Sequence, residues 1–411
     1  MQIVNISGTD SLGKLANGYL HHKYYNQLGH DSWMAVYQKN SFDPKVVPIT
    51  GMFSNRLNNL AIRLEKFFSI YSVLTPALLP LYFRSIYRKA DIVHIHLPHV
   101  RQFFSVYNFP LLSLNRKRPV VLSFHDMFWI TGACHYSLDC DKWKTGCETC
   151  PDPSRTFPLS KDRAAFMWRA KMRAMNHSNM TIIVGSEWQL EILKKSPILS
   201  RFQYEMIPYA TETSIFRPMD KELCRLRFGI PKEADVISFR SVPHRRNFKG
   251  HDHIVDALLK YKPKKETYLL TFEWLGGLEV LKDKYKIVDI GWTTCEEMVA
   301  EGLNAADLFL MPSTAEGFGL MAIESLACGT PVIVFEGTAL PQTIRAPKGG
   351  LAVPQNHEAL AEAIKTLLED NALRRKMGEY GIELAREEHN ANDYIQRHLD
   401  LYDRLIKDVR E

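Results

Sequence analysis

Short apolar runs alternate with longer amphipathic stretches along the whole chain. Runs that favour strands occupy residues 3–6, 33–37, 92–95, 120–124 and 181–184 in the first half. The second half repeats the pattern at residues 236–240, 268–274, 286–290, 308–311, 332–335 and 351–353. Strand followed by helix, repeated many times, is typical of parallel sheets with helices on both faces. The pattern therefore predicts an α/β protein built from Rossmann-like domains.

The boundary between two such domains falls at a polar, proline-flanked stretch, residues 208–218. A chain of 411 residues is long enough for two domains that each bury a core. Beyond residue 353 the apolar spacing changes to three and four, which predicts helices over 358–368, 372–388 and 392–408. We thus expect an N-terminal domain over 1–208, a C-terminal domain over 209–390 and a last helix within 391–411.

The excess of cations is concentrated in the first half of the chain. The composition, 45% hydrophobic and 24% charged, is that of a soluble globular protein. The net charge is +6, yet residues 1–207 hold 25 Lys and Arg against 14 Asp and Glu, and the remainder holds 27 against 32. A basic surface favours phosphate-bearing or membrane partners. No basic recognition motif accompanies the charge, so we do not expect a nucleic-acid partner.

Between residues 56 and 89 the cations are mixed with leucines and aromatic residues. This mixture is typical of a surface at an anionic membrane, and it is equally typical of a core helix pair with solvated cations. The amino terminus does not resemble a secretion signal, and no apolar run reaches the roughly eighteen residues of a spanning helix. We expect a cytoplasmic protein, with peripheral contact to the inner face of the membrane under the first interpretation.

One run, residues 316–331, indicates a particular chemistry. Glu324 follows Glu316 by eight residues, and between them lies a glycine-rich turn that opens a helix: Gly317, Phe318, Gly319 and Leu320. Such a turn directs backbone N–H groups and the positive end of the helix dipole at an anion. Two carboxylates two turns apart can bind hydroxyl groups. Phosphate and polyol together indicate a sugar nucleotide.

The run resembles the paired-glutamate motif of retaining GT-B glycosyltransferases of family 4, including the Ala-Cys-Gly-Thr-Pro-Val that usually follows it. The resemblance implies two Rossmann-like domains that face each other across a cleft, with the last helix crossing back to the first domain. It implies transfer of a sugar from a UDP- or GDP-sugar to a glycan acceptor on a lipid carrier, in capsule, exopolysaccharide or O-antigen assembly. A sugar-nucleotide epimerase of the same fold and a non-catalytic sugar-nucleotide-binding protein are the alternatives.

The resemblance also implies a donor site. Glu316 is expected to bind hydroxyls of the donor sugar and Glu324 the ribose, with the turn residues between them against the donor. Charge that builds on the departing diphosphate needs cations nearby, and Lys249 with its following glycine resembles the family's clamping pair. The family's arginine stands about five residues before that lysine, whereas Arg240 is nine before and Arg245 four before. We favour Arg240 over Arg245 because it ends a predicted strand.

In the first domain, His125 resembles the family's strand-end histidine, which lies near the donor sugar and the reacting centre. Asp126 can orient that histidine, and a purely structural histidine is the alternative. The first loop carries Gly13 and Lys14 where the family often has two glycines against the diphosphate. The resemblance implies that Gly13 contacts the donor. Where the family's second glycine lets the backbone approach the diphosphate closely, Lys14 could contribute a positive charge instead. The resemblance therefore implies four catalytic residues: His125, Glu316, Lys249 and Arg240.

Four cysteines lie in one loop over residues 130–153: Cys134, Cys140, Cys147 and Cys150. A cytosolic Cys-x2-Cys with two further cysteines nearby is typical of structural zinc, which we favour over free or redox-active thiols and over two disulfides. Asp139 and Asp141 spell an Asp-x-Asp, but they lie in this loop and not at a strand end, so we predict no catalytic metal. Because the loop follows His125, we expect it to shape the acceptor site with these residues: Asp126, Thr131, Gly132 and His135.

Overall fold

The computed structural model describes residues 1–11, 16–153, 160–240, 248–273 and 276–411, with the backbone alone for residues 52 and 53. The described chain forms two compact units. One comprises Met1–Ile207 together with Ile395–Glu411, and the other comprises Pro208–Tyr394. Each unit contains one parallel β-sheet. The predicted α/β class with two Rossmann-like, parallel-sheet domains is confirmed.

The first unit is built on a seven-stranded sheet with the order β3-β2-β1-β4-β5-β6-β7, and its strand pairings are parallel. The strands are β1 (Gln2–Thr9), β2 (Asp31–Gln38), β3 (Val46–Pro48), β4 (Ile92–Ile95), β5 (Val120–Phe124), β6 (Thr181–Val184) and β7 (Gln203–Met206). The helices are α1 (Tyr19–Gln27), α2 (Met52–Phe68), α3 (Ser85–Arg88), α4 (Asn108–Leu112), α5 (Ala164–Asn176) and α6 (Glu187–Lys194).

The second unit has a six-stranded parallel sheet with the order β10-β9-β8-β11-β12-β13. The strands are β8 (Asp235–Phe239), β9 (Thr267–Thr271), β10 (Lys286–Asp289), β11 (Leu308–Met311), β12 (Val332–Phe335) and β13 (Gly350–Val353). The helices are α7 (Lys221–Arg227), α8 (His251–Lys260), α9 (Glu296–Ala305), α10 (Leu320–Ala327), α11 (Leu340–Thr343), α12 (His357–Glu369), α13 (Asn371–Glu388) and α14 (Ala391–Asp408), which belongs to the first unit from Ile395 onwards.

The central strands are buried along their whole length, as a parallel sheet covered on both faces requires. Every residue of β4, β5 and β6 is buried, and so is every residue of β11 and β12. Continuous burial demands continuous apolar sequence. The apolar pattern therefore locates these five strands to the residue.

Two edge strands, β3 and β7, were missed by the sequence analysis. Each pairs on one side only, with β2 and β6 respectively. Their residues are mostly half-buried or exposed, and Pro48 ends β3, which is tolerated at a sheet edge because no neighbour needs its N–H. Edge strands do not need the apolar run on which the prediction depended.

The stretch predicted to be a linker packs into the second unit. Tyr209 and Ala210 are buried, and the Tyr209 ring lies 4.9 Å from that of Phe318. The Tyr209 carbonyl is 2.8 Å from Nδ1 of His389, which is also buried. Residues 208–211 are therefore held by the unit that follows them.

Four buried histidines join α14 to the sheet of the first unit: His21, His94, His96 and His398. The ring centroids of His94 and His96 are 3.8 Å apart, and those of His21 and His398 are 4.6 Å apart. Nδ1 of His94 lies 2.5 Å from the hydroxyl of Tyr402, and Nε2 lies 2.8 Å from the hydroxyl of Ser123. Burial, together with neighbouring histidines, holds the pKa of His21, His94 and His96 well below the usual range.

We expect the free energy of unfolding to fall as the pH drops below about 6.5. The folded-state pKa values are depressed, so below the ordinary histidine pKa of 6.5 the unfolded chain takes up protons that the folded chain does not. The contribution of these histidines to the free energy of unfolding is therefore complete above pH 6.5. It is lost as the pH falls, by up to about 1.4 kcal/mol per pH unit for each ring. Urea denaturation followed by circular dichroism between pH 8 and pH 5 measures this dependence.

His21→Met, which removes one titrating ring from the cluster, should give a shallower decline with pH. Equal free energies of unfolding at pH 8 and pH 5 in the unaltered protein would contradict the expectation.

Candidate functional site

The candidate donor site lies where the order of the second sheet reverses. The chain runs outward from β8 through β9 to β10 and returns to the other side of β8 at β11. In open α/β sheets, ligands bind beyond the carboxyl ends of the strands at such a reversal, because the loops of the two strands diverge there. Arg240 directly follows β8, Lys249 precedes α8, and residues 312–319 connect β11 to α10.

A backbone contact brings these two loops together. Gly250 has φ +76°, and a Cβ added there would lie 2.0 Å from the carbonyl oxygen of Pro312. The N–H of Thr314 donates a 2.8 Å hydrogen bond to the carbonyl of Phe248. Lys249, between these two contacts, donates from Nζ to Oε2 of Glu316 at 2.5 Å. The predicted cation and the first predicted glutamate are therefore an ion pair.

The turn that opens α10 has the geometry of an anion site. Gly319 caps the helix with φ +95°, a left-handed conformation that favours glycine, and a Cβ there would also displace Cδ2 of Leu340, which lies 2.2 Å away. No side chain among the described residues caps this helix end by a hydrogen bond. Phe318 is buried against Tyr209 and His389, which holds the turn in place. The helix end thus presents backbone N–H groups and the positive end of its dipole.

Glu324 lies within electrostatic reach of Arg240. Burial and the nearby Glu296 raise the pKa of Glu324 to about 7, while Arg240 acts in the opposite direction. The Arg240 guanidinium forms an ion pair with Glu273 and lies 5.5 Å from the centroid of the Trp292 ring. Burial therefore favours the neutral form of the Glu324 carboxyl.

Two sets of predicted donor residues lie outside the described part of the chain. Gly13 and Lys14 belong to one, and Arg245 belongs to the other. The structure therefore does not test the choice between Arg240 and Arg245.

Sequence analysis missed three neighbours of the predicted residues: Glu273, Trp292 and Glu296. Glu273 follows β9 by two residues, and Trp292 and Glu296 lie after β10. All three share a position beyond the carboxyl end of a strand of this sheet. That shared position is the sequence signal that could have identified them.

In the first unit, His125 and Asp126 follow β5. Burial lowers the pKa of His125 to about 4, with Asp126 acting in the opposite direction. Oδ1 of Asp126 accepts a 2.9 Å hydrogen bond from the N–H of Phe128, and Oδ2 lies 3.0 Å from Nε2 of His99. Burial alone would raise the pKa of Asp126, but His99, His135 and the hydrogen bonds hold it below the usual range. The predicted pair is thus part of a buried network that includes His99 and His135.

Thr131 and Gly132 support the cysteine loop from within. The hydroxyl of Thr131 donates to the carbonyl of Cys134 at 2.7 Å and accepts from its N–H at 3.0 Å. The N–H of Gly132 donates to Sγ of Cys147 at 3.2 Å, and a Cβ at Gly132 would lie 2.7 Å from Ala164. These contacts are internal to the unit, and the role of the two residues in acceptor binding stays a prediction.

A buried lysine lies beneath the same loop. Lys171, on α5, donates from Nζ to the carbonyls of Phe128, Thr131 and Gly132 at 2.6, 2.9 and 3.0 Å. Burial lowers its pKa to about 7, while Cys147, Cys134 and Asp126 act in the opposite direction. No sequence pattern distinguishes Lys171 from the other lysines, which are usually solvated.

Part of the chain is similar to known glycosyltransferases. Residues 226–384 match the profile of the family described as Glycosyl transferases group 1. The D-inositol 3-phosphate glycosyltransferase of Corynebacterium efficiens is 33% identical over 180 residues, which are 40% of this chain and 42% of that relative. The N,N'-diacetylbacillosaminyl-diphospho-undecaprenol alpha-1,3-N-acetylgalactosaminyltransferase of Campylobacter jejuni is 36% identical over 112 residues, 27% of this chain and 30% of that relative. The chain thus spans less than half the length of these two curated relatives.

A solved structure extends the likeness to the whole fold. The Anabaena protein HepE in complex with UDP and glucose matches with a TM-score of 0.67 at 14% identity, over 98% of this chain and 99% of that one. At this identity the likeness concerns the fold, which matches that of GT-B glycosyltransferase structures. Across the described part of the chain, no helix combines the length and the apolar composition needed to cross a membrane.

We expect Gly250→Ala to destabilise the second unit more than Gly291→Ala does. The two glycines have φ values of +76° and +74°, so the backbone cost of alanine, about 1 kcal/mol, is common to both. The Cβ at residue 250 also meets the Pro312 carbonyl, whereas nothing lies within 4 Å of a Cβ at residue 291. Overpacking adds about 1–3 kcal/mol, which urea denaturation of both variants measures. Equal losses would show that the contact between the two loops contributes nothing.

Proposed function

We propose that this protein is a retaining glycosyltransferase that moves a sugar from a UDP- or GDP-sugar to a glycan acceptor on a lipid carrier, in capsule, exopolysaccharide or O-antigen assembly. The observation that carries the proposal is the grouping of Lys249, Glu316 and the open N-terminus of α10 at the reversal of the second sheet. Cation, carboxylate and N–H donors lie there side by side. A nucleoside diphosphate sugar needs all three.

In this proposal the donor diphosphate takes over the contacts of Lys249 and of the α10 N-terminus. As the bond between the sugar and the diphosphate breaks, negative charge builds on the leaving oxygen, and fixed cations and N–H donors stabilise it. Arg240 supplies further positive charge on the same side of the sheet. Glu316, no longer paired with Lys249, binds hydroxyls of the donor sugar, and Glu324 binds the ribose.

The bond changes follow a front-face displacement. The acceptor hydroxyl oxygen bonds to the anomeric carbon on the side from which the diphosphate departs, which retains the anomeric configuration. The hydroxyl proton passes to an oxygen of the departing phosphate. Neither glutamate acts as a nucleophile, and Lys249, Arg240 and the helix end are proposed to stabilise the charge without a catalytic metal. His125 and Asp126 of the first unit are assigned to the reacting sugar and the acceptor.

Relatives and neighbours support the substrate classes. HepE of Anabaena is described in complex with UDP and glucose, which favours a uridine donor. The acceptor in the name of the Campylobacter jejuni relative is a diphospho-undecaprenol, which favours a lipid carrier. An epimerase of the same fold would act on the donor without any acceptor.

Replacement of Lys249 by alanine should lower kcat by about 10²–10³-fold, the usual loss when one preorganised donor to a developing anion is removed. The measurement is transfer from UDP- and GDP-sugars to lipid-linked acceptors. Lys262→Ala is the matched control, because Lys262 is an exposed lysine of the same unit outside the proposed site.

An unchanged transfer rate in Lys249→Ala would contradict the proposed site and favour a non-catalytic sugar-nucleotide-binding protein. Epimerised donor formed without an acceptor would identify the epimerase instead.

We also propose that α2 contacts an anionic membrane surface. Its large apolar side chains are exposed on one face: Leu57, Leu60, Leu64, Phe67 and Phe68. The exposed fraction reaches 75% at Phe67. Three exposed cations, Arg56, Arg63 and Lys66, lie beside this stripe. An exposed apolar stripe flanked by cations is typical of helices that lie in an anionic lipid interface.

The buried face of α2 is polar, which explains why its apolar face can be exposed. Glu65 is 1% exposed, and its carboxylate accepts hydrogen bonds from the N–H groups of Ser72, Val73 and Leu74. Asn58 is also buried and donates towards the hydroxyl of Tyr37 and the carbonyl of Gln102. The helix is thus held to its unit by polar contacts, and the leucines and phenylalanines remain available for lipid.

Leu60→Ser/Phe67→Ser should reduce flotation with anionic vesicles several-fold, because it removes the apolar area that enters the lipid interface. Leu223→Ser/Leu226→Ser on α7 is the matched control, since it replaces two exposed leucines of the other unit. Equal recovery of the unaltered protein with neutral and anionic vesicles would remove the electrostatic part of the proposal. Equal recovery of the two double variants would exclude α2 as the contact.

A further inference from the structure

The four cysteines of the loop line one small cavity. Cys134, Cys140, Cys147 and Cys150 are all among its lining residues, although up to sixteen positions separate them in sequence. The cavity has a volume of about 20 Å³, which is room for one occupant the size of a water molecule. No disulfide joins any of the seven cysteines, all of which lie in the described part of the chain.

The backbone around the cavity is arranged to support sulfur ligands. The N–H of Gly132 points at Sγ of Cys147 at 3.2 Å, the kind of hydrogen bond that stabilises a metal-bound thiolate. Thr131 holds both backbone groups of Cys134, and the N–H of Cys147 donates to the carbonyl of Lys142 at 2.8 Å. Two of the four cysteines, Cys134 and Cys147, are therefore held by backbone and hydroxyl contacts within the loop.

A buried cation lies next to this loop. Lys171 is 1% exposed, and its ammonium group is bonded to three backbone carbonyls. A buried charge is costly unless opposite charge lies near. A metal centre with four thiolates, whose net charge is −2 with a divalent ion, would supply that charge.

We infer that Cys134, Cys140, Cys147 and Cys150 bind one structural zinc ion as thiolates, releasing their four protons on binding. Zn–S bonds of about 2.3 Å place the sulfurs of a tetrahedral site about 3.8 Å apart. No three of these sulfurs lie within 4.8 Å of one another in the structure, so the loop contracts around the ion. The inference is independent of the proposed transfer activity.

The competing metal site in this unit consists of His99, Asp126 and His135. In the described part of the chain, these three form the one set of potential ligands whose atoms lie within 4.8 Å of one another. Nε2 of His99 and Oδ2 of Asp126 are already 3.0 Å apart in a hydrogen-bonded pair, which a metal ion would have to break. Zinc is a borderline-soft ion, so four soft thiolates bind it more strongly than two imidazoles and a carboxylate do.

The zinc ion would fix the residues assigned to the acceptor. The N–H of Met127 donates to the carbonyl of His135 at 2.8 Å, which links the residue after Asp126 to the residue after Cys134. Contraction of the loop around an ion therefore restricts His135 and the 126–127 segment together. The ion positions these residues and takes no part in bond making.

The experiment uses the full chain, purified without a nickel column, and measures metal content and zinc X-ray absorption. We expect about one equivalent of zinc, with four sulfur scatterers at about 2.3 Å. A first shell of nitrogen and oxygen at about 2.0–2.1 Å would overturn the inference in favour of the His99 set. Less than about half an equivalent of zinc, or a stoichiometric amount of iron, would also overturn it.

Variants separate the two sets of ligands. Cys147→Ser/Cys150→Ser should retain less than a tenth of an equivalent of zinc, whereas Cys295→Ser, at an exposed cysteine outside the loop, should retain all of it. Full zinc retention by the double variant would overturn the inference.

Thiol titration of the unaltered protein keeps the test valid if the double variant does not fold. One thiol, Cys295, should react in the native protein, and four more should react after zinc is removed by a chelator. Four loop thiols that react at once, or loop disulfides seen by mass spectrometry, would overturn the inference.

Discussion

The contact between the Gly250 backbone and the Pro312 carbonyl is the constraint on which the candidate donor site depends. β8 and β11 are neighbours in the sheet, but their loops lead to helices that are far apart in sequence. Only a residue without a side chain lets the two loops touch, because a Cβ would come within 2.0 Å of the carbonyl oxygen. Lys249 and Glu316 meet as a consequence. Gly250 therefore contributes to the candidate site by allowing the two loops to approach each other, and not through a ligand contact that is special to glycine.

The cations of this site are paired before any donor arrives. Lys249 is bound to Glu316, and Arg240 is bound to Glu273. Pairing keeps each cation in a defined place and offsets the desolvation cost of its partly buried charge. In the proposed function, a donor diphosphate has to compete with a carboxylate for each cation. Burial also raises the pKa of the Glu324 carboxyl, while Arg240 acts in the opposite direction.

The apolar pattern predicts five continuously buried strands to the residue, and of the less buried strands it predicts β10 and β13 but not β3 and β7. β4, β5, β6, β11 and β12 were located to the residue because both faces of each strand are buried, whereas the edge strands β3 and β7 carry no such run. Lys249 and Glu316 were predicted because each belongs to a local motif; the structure pairs them, and their role in donor binding stays a prediction. Glu273 and Trp292 were missed because they come from other loops and enter the site through the strand order. The histidine cluster was missed for the same reason, since His21 and His398 are neighbours only in the folded chain.

In the first unit, α2 buries polar side chains and exposes apolar ones, which is the reverse of the usual arrangement. Glu65 and Asn58 satisfy backbone and side-chain partners beneath α2, next to the buried Ala61. The leucines and phenylalanines of α2 are exposed instead, next to the cations that make this half of the chain basic. Lys171 is the reverse case, a cation drawn inside to hold the carbonyls of the cysteine loop. Glu65 and Lys171 are charged side chains in buried positions, and each makes three hydrogen bonds to backbone groups. These hydrogen bonds offset the cost of burying the two side chains.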